Sequence, residues 1–206
     1  MEFTVEIKRA FARKPIIVKK KYFSKKECED IQDKMDPALS DLLFLEDTAD
    51  VKGVIKARTF ILNSDSKATQ ACQDKLFKGM MHYNDKNYHI PKLYASDGAY
   101  ISEYEKGGFR GLHIDGGYLQ SYGYYNKIQQ SRFFNRQLTG VVQLTNPDEY
   151  KGGSLQIPGF DMPEGANEQG SLIIFPSSFL HEVKKVTWGY RYSLVGFLYS
   201  DAFNGK

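Results

Sequence analysis

From Leu93 onward the chain is built of short apolar or alternating runs, each closed by Gly, Pro, Asn or Asp, and this punctuation constrains the fold more than any other feature. Runs of this length suit strands, and many of them in succession suit a sandwich or barrel. Aromatic residues make up 14 % of the chain, with 14 Tyr and 14 Phe, and such side chains favour a pleated surface. A jelly-roll closure would leave an open mouth in which polar side chains can gather.

The front of the chain reads differently. Ser24 followed by Glu27 has the form of a capping box, and Cys28, Ile31 and Met35 then recur at helical spacing, which predicts a helix over 25–36. Residues 66–83 predict a second helix with Ala68, Cys72, Leu76 and Met80 on one face, suited to buttressing a sheet. A chain of 206 residues is long enough for a sizeable core. The expectation is therefore one mainly β (α+β) domain, with a helical front over about 1–92 and a jelly-roll core over about 93–200.

Within that core three segments carry chemistry. Gly111-Leu112-His113-Ile114-Asp115-Gly116-Gly117 sets His113 and Asp115 two apart, so in an extended chain they share a face and can reach one ion. The apolar strand Leu172-Ile173-Ile174-Phe175 ends in a Pro-Ser turn, after which His181 opens the next strand. Two imidazoles and one carboxylate on one face of an octahedron leave the other face open, the arrangement of a non-haem Fe(II) that binds substrate and dioxygen together. Taken singly, a His-X-Asp triplet is common and a histidine at a turn is more often structural. The third segment, Gly189-Tyr190-Arg191-Tyr192-Ser193-Leu194-Val195-Gly196-Phe197-Leu198, has Arg191 as its only charge. A cation on a buried apolar strand demands an anion, and its planar fork suits a carboxylate, with Ser193 on the same face to add a hydroxyl.

In this order and spacing, Tyr104, Gly107, His113, Asp115, Gly152-Gly153-Ser154-Leu155, His181 and Arg191 resemble the Fe(II)/2-oxoglutarate-dependent dioxygenases of the prolyl 4-hydroxylase-like superfamily. The resemblance runs from about Tyr94 to Tyr199, with weaker agreement over residues 22–28. It implies a double-stranded β-helix of cupin-like form, Fe(II) on His113, Asp115 and His181, and 2-oxoglutarate held by Arg191 and Ser193. It also implies dioxygen as the oxidant, with ascorbate as an auxiliary reductant. The family often has a tyrosine three residues before the first histidine, where this chain has Arg110, and another on the strand that here reads Val141-Val142-Gln143-Leu144. Tyr104 or Gln143 would supply the missing hydrogen bond to the co-substrate. The implied reaction is hydroxylation of a C–H bond, with a prolyl residue of a peptide or protein leading and a free amino acid or other small molecule next. A cupin-like metal-binding protein without 2-oxoglutarate turnover is the alternative from outside that class.

The remaining features are plainer. A net charge of +3 is too mild to argue by itself for a nucleic-acid partner and does not exclude one, and the basic cluster Lys19-Lys20-Lys21, Lys25, Lys26 reads as a solvated surface. No run approaches a membrane span and the first nine residues lack the apolar core of a signal peptide, so the expected location is the cytoplasm, where reducing conditions keep Fe(II) available. Cys28 and Cys72 are expected to be free thiols, and His82 and His89 to be surface or packing residues. Trp188-Gly189 reads as a turn into the arginine strand. Residues 116–135, rich in Tyr, Phe, Lys and Arg, read as a lid over the substrate.

Overall fold

In a computed structural model, residues 15–33, 55–62, 67–95, 98–115, 118–119 and 134–201 are described. Fourteen strands occur among them: β1 (Ile17–Lys19), β2 (Ile55–Lys56), β3 (Arg58–Ile61), β4 (Tyr94–Ala95), β5 (Tyr100–Tyr104), β6 (Phe109–His113), β7 (Tyr118–Leu119), β8 (Phe134–Gln143), β9 (Tyr150–Gly152), β10 (Leu155–Gln156), β11 (Leu172–Pro176), β12 (His181–Val183), β13 (Val186–Gly189) and β14 (Arg191–Asp201). Two helices, α1 (Lys25–Asp33) and α2 (Lys67–Tyr83), accompany them, and a π-helical turn over Asn84–Tyr88 prolongs the second. The lid expected over 116–135 lies almost wholly outside the described residues, which retain only the pairing of β7 with the start of β8.

The strands form an antiparallel sheet of order β1-β11-β8-β14-β5-β3 and a smaller one of order β10-β12-β6-β2, with β13 pairing β9 as a third ribbon. This is the expected jelly roll, with alternate residues of each major-sheet strand facing different cores. Leu138, Val142, Leu172, Ile174, Leu194 and Leu198 pack on the helix side, whereas Val141, Ile173, Phe175, Val195 and Phe197 face the smaller sheet. Because both faces of this sheet are covered, its strands read as nearly continuous apolar runs.

Helix α1 begins as its capping box requires. Ser24 Oγ accepts from the Glu27 amide at 3.2 Å, and the Glu27 carboxylate accepts from the Ser24 amide at 2.7 Å. Residues 34–36 of the expected helix lie outside the described residues. Helix α2 covers the major sheet with Leu76 and Met80, each fully buried and each stabilising the fold by about 2 kcal/mol. Its seat is a pair of glycines. Gly140 of β8 is paired with Gly196 of β14, and a Cβ on either would strike Met80 or Leu76 respectively. The buried stripe also takes in Thr69 and Gln73, so it is turned slightly from the face expected from Cys72.

Two expectations are corrected. The front is not purely helical, because β1, β2 and β3 lie before residue 92 and complete both sheets. These strands have only two to four residues, too few to display a period, and they form because open sheet edges offer them hydrogen-bond partners. Trp188 lies in β13 opposite Lys151 and not in a turn, leaving Tyr190 as the one residue between β13 and β14. The basic cluster is a surface, with Lys20 paired to Glu164 and Glu168 and Lys26 to Asp30. No helix among the described residues is long and apolar enough to cross a membrane.

Candidate active site

His113 ends β6 and His181 opens β12, and the two are direct partners in the smaller sheet, so their rings lie side by side with centroids 4.1 Å apart. Asp115 follows two positions after His113. Its amide donates to Ser177 O at 3.0 Å, which turns the carboxylate back toward both rings. Asp115 Oδ1 lies 3.4 Å from His113 Nε2, and Oδ2 lies 3.2 Å from His181 Nε2. The three residues form the one such cluster of possible metal ligands among the described residues, with one ligand atom from each within 4.8 Å of the others.

The ring orientations are set from behind. His113 Nδ1 is 2.8 Å from Gly111 O, and His181 Nδ1 is 3.0 Å from Phe179 O. A carbonyl only accepts, so in a neutral ring the proton sits on Nδ1 and the Nε2 lone pair faces Asp115. Lone pairs and a carboxylate brought this close repel one another unless a proton or a cation joins them. Burial by itself would raise the Asp115 carboxyl, but rings that carry a proton on Nε2 as well would, by hydrogen bonding and charge, outweigh it and hold that group well below the usual carboxylate range. Such a set of two nitrogens and one oxygen fits Fe(II).

Facing the triad from the major sheet is Arg191, which is 0 % exposed. Its Nε, Nη1 and Nη2 are all buried without a hydrogen-bond partner among the described residues. A buried guanidinium with no anion is costly, so the site is incomplete without one. Arg191 is paired with Tyr104 of β5, whose ring centroid lies 5.3 Å from its Cζ, and Ser193 follows on the same face. Arg191 and Ser193 thus line the same cavity as the triad.

The residues expected from the sequence therefore meet, with one difference. Tyr104, Ser193 and Arg191 line the cavity together with His113, Asp115 and His181, whereas Gln143 does not, although it is 1 % exposed and paired with Ser193. Its Nε2 is buried without a partner among the described residues. Other polar residues also line the cavity. Tyr100 lies two before Ser102 on the cavity face of β5, Thr139 donates to Asp115, and Arg110 projects from β6. Burial, and then the negative charge of Asp115, push the Tyr100 phenol up. The inward alternation along β5 and β8 was the signal available for Tyr100 and Thr139, once strand bounds are known.

A family model described as the 2OG-Fe(II) oxygenase superfamily matches residues 99–199, which hold every residue of this site. A PKHD-type hydroxylase of Rippkaea orientalis is 39 % identical over 104 residues, 48 % of this chain and 41 % of that protein. One of Aliarcobacter butzleri is 32 % identical over 111 residues, 53 % of this chain and 45 % of that protein. Each match thus spans less than half of the relative's own length. In fold, the chain is similar to a collagen prolyl hydroxylase of Paramecium Bursaria Chlorella virus-1, at 16 % identity and a TM-score of 0.64 over 91 % of this chain and 97 % of that one. A Pseudomonas putida prolyl-4-hydroxylase aligns at 14 % identity and a TM-score of 0.58, covering 89 % and 91 %. The superfamily uses Fe(II), 2-oxoglutarate and dioxygen, and the triad and the unpaired arginine are the two features those groups need from a protein. Residues 99–199, just under half of the chain, thus match the 2OG-Fe(II) oxygenase superfamily in sequence, and the donors gathered there and the jelly-roll frame agree with that likeness.

Proposed function

We propose that this chain is a 2-oxoglutarate-dependent dioxygenase that hydroxylates a C–H bond, with a prolyl residue in a peptide or protein as its leading substrate. The hydroxylase and prolyl hydroxylase names of its relatives and structural neighbours support that substrate. The observation that carries the reading is the wholly buried guanidinium of Arg191, without a hydrogen-bond partner among the described residues, in one cavity with His113, Asp115 and His181.

In this reading the three side chains would hold Fe(II), at which dioxygen would be the oxidant and 2-oxoglutarate the co-reductant, one oxygen atom entering the substrate C–H bond and the other succinate, with CO2 released. Arg191 takes the distal carboxylate of 2-oxoglutarate in a paired, charge-assisted contact, and Ser193 adds its hydroxyl. Tyr104 packs against the guanidinium and limits how the co-substrate can lie. Asp115, being a carboxylate, keeps its position in the ligand set filled, which favours hydroxylation over halide transfer. The β-strand frame fixes all of these groups before substrate arrives, so little ordering remains to be done on binding. Ascorbate serves as an auxiliary reductant, and the cytoplasm as the compartment that keeps iron reduced.

The test is an anaerobic titration of the Fe(II)-loaded protein with 2-oxoglutarate, followed by the visible charge-transfer absorption of the bound keto acid, with Arg191→Ala in parallel. The reading expects absorption in the wild type and a much higher 2-oxoglutarate requirement in the variant. Iron binding without any such absorption would favour the cupin-like reading instead.

A further inference from the structure

Of the charged side chains that line the cavity among the described residues, Arg110 alone has no task in the proposed function, on which this inference rests. Simple alternation along β6 would turn Arg110 away from His113, three positions on. A β-bulge reverses this. His181 is paired with His113 and Val183 with Arg110, so β6 takes one more residue than β12 over the same stretch. The extra residue inverts the parity and brings Arg110 round to the face that carries His113.

There its Nε donates to His113 Nε2 at 2.6 Å, its one hydrogen bond among the described residues. His113 Nδ1 is committed to Gly111 O, so Nε2 is also the nitrogen a metal would use. The two uses exclude each other. Metal binding must move the guanidinium off that lone pair while leaving it in the wall of the same cavity. Asp115 and a dianionic co-substrate offset a divalent cation and Arg191 charge for charge, which leaves Arg110 as the surplus cation beside the metal. Arg136, stacked over Phe197 at 3.8 Å and donating to Tyr199, adds positive charge farther along the same face of β14. From this geometry we infer that Arg110 binds a carboxylate brought by the substrate. The site then selects acidic molecules: a free amino acid, or a peptide with a carboxylate close to the oxidised carbon. The metal-chelating end of 2-oxoglutarate offers the same chemistry, and the experiment must separate the two.

The wild type, Arg110→Gln and Arg110→Lys are each titrated with Mn(II) and then 2-oxoglutarate by calorimetry, with thermal melts to verify folding. Acetate is then added as the probe, acetamide as its uncharged control, and the Mn(II)-induced relaxation of their methyl protons is measured. The inference expects saturable acetate relaxation in the wild type, an apparent affinity about tenfold weaker in Arg110→Gln and partly restored in Arg110→Lys, and 2-oxoglutarate affinity changed by no more than about threefold. Acetate relaxation that is absent in the wild type, matched by acetamide, or unchanged in Arg110→Gln would overturn it. So would a large loss of 2-oxoglutarate affinity in Arg110→Gln, which would assign the arginine to the co-substrate. A wild type that binds neither Mn(II) nor 2-oxoglutarate would instead overturn the proposed function, and this inference with it.

Discussion

Thr139 donates its hydroxyl to Asp115 Oδ2 at 2.9 Å, so the carboxylate of the triad is held from behind by a neutral group on the major sheet. The same hydroxyl lies 2.9 Å from Ser177 Oγ, and the Ser177 carbonyl accepts from the Asp115 amide, so a closed set of contacts fixes one oxygen and the backbone of this residue together. Groups that orient a metal ligand matter nearly as much as the ligand itself. Thr139→Val keeps the shape and removes the donor. Mn(II) affinity measured by calorimetry should fall about 10- to 100-fold while the circular dichroism spectrum stays that of the wild type. An unchanged affinity would mean that the β-sheet alone orients Asp115.

Arg191 gives a prediction in which the ligand-free and ligand-bound states respond in opposite senses. Without an anion the buried guanidinium is an uncompensated charge, so Arg191→Met should melt at the same temperature as the wild type or higher when no ligand is present. Adding Mn(II) with 2-oxoglutarate at about 100 times its Kd should stabilise the wild type by about 2.7 kcal/mol, and the variant should lose the part due to 2-oxoglutarate. A variant that is strongly destabilised without ligand would show that Arg191 has a structural partner.

Much of this site was legible because its members carry either charge or a metal-binding nitrogen at informative spacing. His113 and Asp115 stand two apart, His181 meets His113 by strand pairing, and Arg191 is conspicuous as a cation in an apolar run. The parts that escaped notice depend on geometry with no local sequence mark. The bulge that swings Arg110 toward His113 is a register fact between β6 and β12, Thr139 and Ser177 are neutral, and β1 to β3 are too short for a period. In the sequence Gln143 and Tyr104 are alike, both polar groups near the expected socket. The pairing of Arg191 with Tyr104 sets them apart, since it brings that ring against the guanidinium.

Gly153 connects backbone conformation to the socket. It has φ of +64°, and a Cβ there would lie 2.9 Å from Val186 Cγ2 and 3.0 Å from Arg191 Cδ. Gly153→Ala therefore combines a disfavoured backbone with pressure on the arginine stem. It should cost about 1–3 kcal/mol in urea unfolding and should also weaken 2-oxoglutarate binding, because the guanidinium is displaced from its seat. A stability loss with unchanged co-substrate affinity would show that Val186 alone yields.

The two cysteines should differ sharply in reactivity. Cys28 is fully buried against the sheet, with its thiol 3.9 Å from Gln143 O, whereas Cys72 is only partly buried. Burial pushes the Cys28 thiol up to about 12, with nearby Glu27 and Glu29 acting in the same direction. At pH 8 roughly one Cys28 in ten thousand is then a thiolate in the folded state, since each unit between pH and pKa is a factor of ten. A raised folded value also means that burial of the neutral thiol contributes stability up to the pKa of the unfolded chain, and that this contribution declines as pH rises above it. Titration with an aromatic disulfide at pH 8 should therefore give one prompt thiol, removed by Cys72→Ser, and a second that appears only on unfolding. Two prompt thiols in the native protein would place Cys28 in contact with solvent and contradict the packing of α1 on the sheet.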